Sequence, residues 1–144
     1  RTELLLFQAD RAQNIKEVVI PALESGAYVL CDRFIDSTVA YQVGGRGFSR
    51  ELIDYLNMFS SYNLLPDVTI LLDVEYEIGI KRATKIATDR FENESVAFHD
   101  LIRGSYCDLH KEFPERIKLL DTSKLDVSQV HENIKRIIED ECLC

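Results

Sequence analysis

Positive charge is in short supply in this chain of 144 residues: 17 Lys and Arg stand against 25 Asp and Glu, a formal charge of -8. A polymer of phosphates demands a basic face, so nucleic-acid strands are excluded as expected partners, whereas a single nucleotide needs only a few local Arg residues. Long apolar runs are also lacking. No stretch reaches the ~18 residues that a membrane-spanning helix requires, and no secretory leader pattern opens the sequence, so the expected location is the cytoplasm. Cysteine is sparse: Cys31, Cys107, Cys142 and Cys144 are the four present. Cys142-x-Cys144 has no second pair to complete a zinc site, and reduced thiols are the simpler expectation. His99, His110 and His131 lie far apart and are assigned no chemistry, so no protein-bound metal is expected. Repeats and long linkers are absent as well. What is there, a 46% hydrophobic content, suffices for one domain with a real core, spanning 1–144.

Apolar residues at Leu5, Ala9, Ala12, Ile15, Val19 and Ala22 recur with the helix period. Pro21 should kink or end that helix, or start a second short turn, and Gly26 should stop it. Ala27 to Cys31 reads as a strand buried on both faces. Ile35 to Val43 reads as helix, Gly44-Gly45-Arg46-Gly47 as loop, and Ser49 as the cap of a helix ending near Tyr62-Asn63. Strand Val68 to Val74 and helix Tyr76 to Lys85 follow. Ala87 to Asn93 is polar and expected to move. Helix Glu94 to Glu112, closed by Pro114, precedes strand Ile117 to Leu120 and helix Asp126 to Cys142. Strands alternating with helices describe a three-layer α/β domain, a parallel sheet with helices on both faces.

The most telling stretch runs from Val29 to Gln42. It passes from an apolar strand into Asp32-Arg33, then into the helix start Ser37-Thr38-Val39-Ala40-Tyr41-Gln42. In parallel α/β sheets ligands sit at the carboxyl ends of strands, and an Arg there offers a planar fork suited to phosphate or carboxylate. Taken alone, Asp32 and Arg33 could equally be a surface ion pair.

This run resembles the nucleotide-monophosphate signature of thymidylate kinases. Three further segments agree, in family order: Leu5-Leu6-Phe7-Gln8-Ala9-Asp10-Arg11, resembling the base-binding helix; Pro66-Asp67-Val68-Thr69-Ile70-Leu71-Leu72-Asp73-Val74; and Asp89-Arg90-Phe91-Glu92, resembling the end of a mobile lid at about 82–93. The resemblance implies a P-loop nucleoside monophosphate kinase fold with strand order 2-3-1-4-5, of which 27–31, 68–74 and 117–120 would be the third, fourth and fifth strands. No Gly-x-x-x-x-Gly-Lys-Ser/Thr loop, with which the family opens, occurs in the sequence. Together with a start at Arg1, almost inside a helix, this gives the expectation of an N-terminally incomplete domain lacking its first strands. A sheet without its central strand would leave two rows of unpaired backbone groups, so these residues are not expected to fold alone into the family's sheet.

The resemblance also implies an activity and its residues. ATP, with Mg²⁺, would phosphorylate dTMP to dTDP, in a cytoplasmic homodimer. Phe7 would stack on the thymine and Arg11, one helical turn on, would bond a base carbonyl. Arg33 would grip the acceptor phosphate, with Asp32 orienting it or holding a metal-bound water. Ser37 belongs to the same run, Thr38 and Gln42 would face the base edge, and Tyr41 would occupy the space of a ribose 2′-hydroxyl. Arg46 would support its loop. In the lid, Lys85 or Arg90 would reach the transferring phosphates, with Arg82 as an alternative, and Glu92 would assist at the metal or sugar. Two alternatives stay open: a deoxynucleoside kinase, and a truncated, catalytically inactive nucleotide-binding chain.

Overall fold

The structure is a computed structural model that describes residues 1–83 and 95–142. The chain divides into two compact units, Arg1–Leu65 and Pro66–Cys144.

The first unit is helical. Helix α1, Thr2–Asn14, runs through a wider i→i+5 turn at Ile15–Val19 into α2, Ile20–Glu24. Its buried stripe is Leu4, Gln8, Ile15 and Val19, spaced so that they share a face. The wide turn lies directly before Pro21, with the Ile20 N–H reaching the Ile15 carbonyl. Proline has no N–H and crowds the carbonyl four residues back, and Pro21 sits in the first turn of α2, where that is tolerated. Gly26, at φ +83°, ends the helix as expected.

The expected strand at 27–31 is not formed. These residues have no regular structure and are all exposed, Leu30 to 96%. A strand exists only through its neighbours, and no described segment of the first unit pairs with this one. The continuous apolar run therefore predicts a doubly buried strand that the structure does not contain.

Helix α3, Ile35–Thr38, continues into a second wide turn, Val39–Gly45. Gly44 and Gly45, expected in the loop, are therefore part of the helical run. Helix α4, Arg50–Ser60, begins where the sequence placed its cap: the Leu52 N–H donates to Ser49 Oγ at 3.3 Å. It closes through Tyr62 and Asn63, both in the left-handed region, with the Asn63 N–H returning to the Met58 carbonyl at 2.9 Å. The core of this unit is Leu4, Ile15, Val19, Ile35, Val39, Ala40 and Ile53.

The second unit is a parallel α/β unit. Strands β1, Thr69–Asp73, and β2, Ile117–Asp121, pair in parallel from Thr69↔Ile117 to Asp73↔Asp121. Parallel neighbours need a crossover, supplied by α5, Tyr76–Ala83, and α6, Val96–Glu112. Ser95 caps α6 by accepting from the Phe98 N–H. Ile102 and Leu109 of α6 are buried, as is Ile117 of β2. His110 Nδ1 lies 2.7 Å from the Ile117 carbonyl oxygen, a structural tie for a histidine given no chemistry. Helix α7, Val127–Cys142, opens on a reciprocal cap in which the Gln129 N–H donates to Asp126 Oδ1 and the Asp126 N–H to Gln129 Oε1. Adjacent parallel β1 and β2 match the fourth and fifth strands of the expected order. Among the described residues, no helix is long and apolar enough to cross a membrane.

Candidate functional site

Arg33 stands out first by its backbone. Its φ of +66° lies in the left-handed region, where a non-glycine residue costs about 1–3 kcal/mol and persists only because its surroundings impose the conformation. The surroundings are visible. Arg33 Nη2 donates to the Tyr41 hydroxyl, the guanidinium carbon lies 4.8 Å from the centre of the Tyr41 ring, and the Cys31 thiol reaches the Arg33 carbonyl at 3.6 Å. Arg33's polar partner is thus Tyr41, not Asp32, whose carboxylate is exposed. The result is a cation fixed on an aromatic face at the mouth of α3. Burial pushes the nearby Cys31 thiol up, Arg11 acting against this and Asp32 with it.

Arg11 is the second centre. On α1 it stands one turn from Phe7, which is 52% exposed. Its Nη1 donates to Gln8 Oε1 at 3.0 Å and to Asn57 Oδ1 at 2.7 Å. Its Nη2 donates to Thr38 Oγ1 at 2.6 Å and, more weakly, to the Phe34 carbonyl at 3.4 Å. The guanidinium carbon also lies 5.3 Å from the Phe34 ring centre. Burial works against the Arg11 charge and lowers its proton affinity, while Cys31, Asp10 and Asp36 oppose that shift. Arg11 therefore joins α1, α3 and α4 through one cation.

Other expected residues fall into separate groups. Thr38 is buried against Arg11, whereas Ser37 is only half-buried. Gln42 is buried and donates to Glu3 Oε1 at 3.4 Å. Arg46 pairs with the same Glu3 at 3.0 Å, the loop support expected of it. The structure thus joins Arg11 with Thr38 and Arg33 with Tyr41, and sets Gln42 beside Glu3.

Gln8, Asn57 and Ser60 were missed in the sequence. All three are buried, and Ser60 donates to Gln8 Oε1. The signal was indirect: the buried face of α1 is that of Leu4 and Gln8 and not the expected one of Leu5 and Ala9, Leu5 being 59% exposed, while Asn57 and Ser60 stand four and seven residues after Ile53 on α4. A polar residue on a core-facing position needs a partner.

In the second unit, Arg103 Nε and Nη2 clasp the Asp73 carboxylate, both at 2.7 Å. The bond holds the Asp73 carboxyl below its ordinary value against a desolvation that opposes it, and raises the proton affinity of Arg103. Arg82 donates to the Thr122 and Ser123 carbonyls, both at 3.1 Å, and to Leu125 at 3.5 Å. That cation therefore holds the loop after β2. Lys85, Arg90 and Glu92 lie outside the described residues. Among the described residues no three His, Cys, Asp or Glu side chains converge as a metal site, and Asp32 offers a single exposed carboxylate.

The thymidylate kinase family model matches residues 1–134. The thymidylate kinase of Limosilactobacillus reuteri is 43% identical over 143 residues, covering 97% of this chain and 67% of that protein. The thymidylate kinase of Nostoc punctiforme is 44% identical over 140 residues, 94% of this chain and 66% of the relative. The crystal structure of thymidylate kinase from Ehrlichia chaffeensis superposes with a TM-score of 0.72 at 31% identity, covering 96% of this chain and 65% of that one. The chain thus spans about two thirds of the length of these relatives. Sequence and fold agree that the chain belongs to the thymidylate kinase family.

Proposed function

We propose that this chain carries the dTMP-binding and lid portion of an enzyme that transfers the γ-phosphoryl group of ATP to dTMP, giving ADP and dTDP, and that both compact units belong to one nucleoside monophosphate kinase domain. Phosphoryl transfer asks the protein mainly for positioning and positive charge. Arg33 supplies the charge for the acceptor phosphate. Its guanidinium, already oriented on Tyr41, presents a planar fork to the phosphate oxygens. Tyr41 then lies beside the sugar and leaves no room for a 2′-hydroxyl. Phe7 stacks on the base, while Arg11, Thr38 and Gln42 meet its polar edge, with Ser37 of the same run binding the nucleotide beside them.

Mg²⁺ enters with ATP as part of the donor substrate. Asp32 can take a water of that ion, the kind of outer contact Mg²⁺ prefers. Lys85 and Arg90 are the cations proposed for the transferring phosphates, with Glu92 beside the metal or sugar. The protein works as a homodimer in the cytoplasm with reduced thiols.

The observation that carries the reading is the left-handed Arg33, a strained residue directly before the helix bearing Ser37, Thr38 and Tyr41. The test is isothermal titration of the protein with dTMP and with thymidine. The expected result is tighter binding of the monophosphate, with Arg33→Ala removing the difference. Equal or tighter binding of thymidine would refute it.

A further inference from the structure

Two buried amides stand behind Arg11, and the bonds among them leave no choice of orientation. Asn57 Nδ2 donates to the Ile35 carbonyl at 3.2 Å, and Gln8 Nε2 donates to Asn57 Oδ1 at 3.1 Å. The Ser60 hydroxyl is within donating reach of Gln8 Oε1 and, at 3.2 Å, of the Asn57 carbonyl. Both amide oxygens are thereby turned to Arg11 Nη1, which donates to each. Rotating the Asn57 amide would set an NH₂ group against Nη1 and leave the Ile35 carbonyl unpaired, a costly exchange where Gln8 and Asn57 are 6% and 3% exposed.

The consequence reaches Nη2. With Nη1 held by two acceptors, the planar guanidinium cannot swivel, and Nη2 must point toward residues 34–38. There its bond to Phe34, 3.4 Å, is the longest it makes and the easiest to exchange for a ligand. Thr38 Oγ1 already accepts from Nη2, so its own hydrogen is left to donate. The edge formed is a row of donors.

We infer that Asn57, backed by Gln8, is a positioning residue that locks Arg11 into this donor row and so selects a pyrimidine bearing a carbonyl, not an amino group, at the atom Arg11 meets. The inference rests on the reading of Arg11 as a base contact. A guanidinium has no acceptor, so a fixed one rejects the amino group of cytosine, whereas a guanidinium freed to turn aside rejects nothing.

The test compares dTMP and dCMP binding by isothermal titration for the wild type, Asn57→Leu and Asn57→Asp. Asn57→Leu should weaken dTMP about tenfold while changing dCMP by less than about twofold, so the preference collapses. Asn57→Asp keeps the acceptor toward Nη1 and should retain most of the preference. If Asn57→Leu does not fold, judged by circular dichroism, Asn57→Ser carries the same expectation, being too short to reach Arg11. Equal weakening of both nucleotides means a merely structural amide and overturns the inference, as does an unchanged preference. A wild-type protein that binds dTMP but shows no preference over dCMP overturns the inference alone; one that fails to bind dTMP overturns the reading beneath it.

Discussion

Replacing Arg33 by Ala and by Gly separates the cost of its backbone from the use of its side chain. Both substitutions remove the stacking on Tyr41 and the bond to its hydroxyl, so those losses cancel in the comparison. They differ at φ +66°, where Ala keeps the left-handed cost of about 1–2 kcal/mol and Gly does not. Against this, Gly gives up about 0.5–1 kcal/mol more conformational freedom on folding. The Gly variant should therefore be more stable than the Ala variant by about 0.5–1 kcal/mol. With a urea slope of about 2 kcal/mol per molar, that is a midpoint higher by about 0.3–0.5 M. The chain contains no Trp, so far-ultraviolet circular dichroism is the suitable probe. In the same two proteins dTMP binding should fall equally, about 10- to 100-fold, because the charged donors are gone from both. An Ala variant as stable as the Gly variant would refute the argument, since Arg33 would then not be held in a strained turn.

Three other perturbations have defined outcomes. The clasp of Arg103 lowers the Asp73 carboxyl from its ordinary 3.8, so its stabilisation is present above that value and is lost as pH falls through the lower, folded-state one; Asp73→Asn should flatten the decline of the urea midpoint below about pH 4. Ile53 is 0% exposed, and Ile53→Ala should cost about 2–5 kcal/mol in urea unfolding of the first unit, while Ser49→Ala, which removes the cap of α4, should cost about 1 kcal/mol.

Much of this architecture is legible in the residues because local chemistry decides it. Ser49, Gly26 and the Asp126–Gln129 pair mark helix ends through groups they bond themselves. The largely apolar segments 69–73 and 117–121 became strands because each had the other. The run at 27–31 looks the same in sequence and is not a strand, since pairing is a property of neighbours. The site divides in a similar way. Arg11, Thr38, Arg33 and Tyr41 could be chosen from spacing and resemblance, but their grouping into two pairs could not. It depends on a positive φ at a residue type that does not advertise one, and on wide helical turns that shift the phase after Thr38. Gln8 and Asn57 were hidden because an amide on an apolar stripe declares only that it needs a partner, not which one.

Parallel pairing in register brings Asp73 and Asp121 level with each other at the ends of β1 and β2. Adjacent strands are roughly 4.8 Å apart, so two negative charges end the sheet side by side, Asp73 clasped by Arg103 and Asp121 accepting from the Ser123 N–H. Just past that end the Thr122 N–H and hydroxyl both donate to the Asp73 carbonyl, at 2.8 and 2.9 Å, so the two strands stay stitched through the backbone at the point where their loops depart.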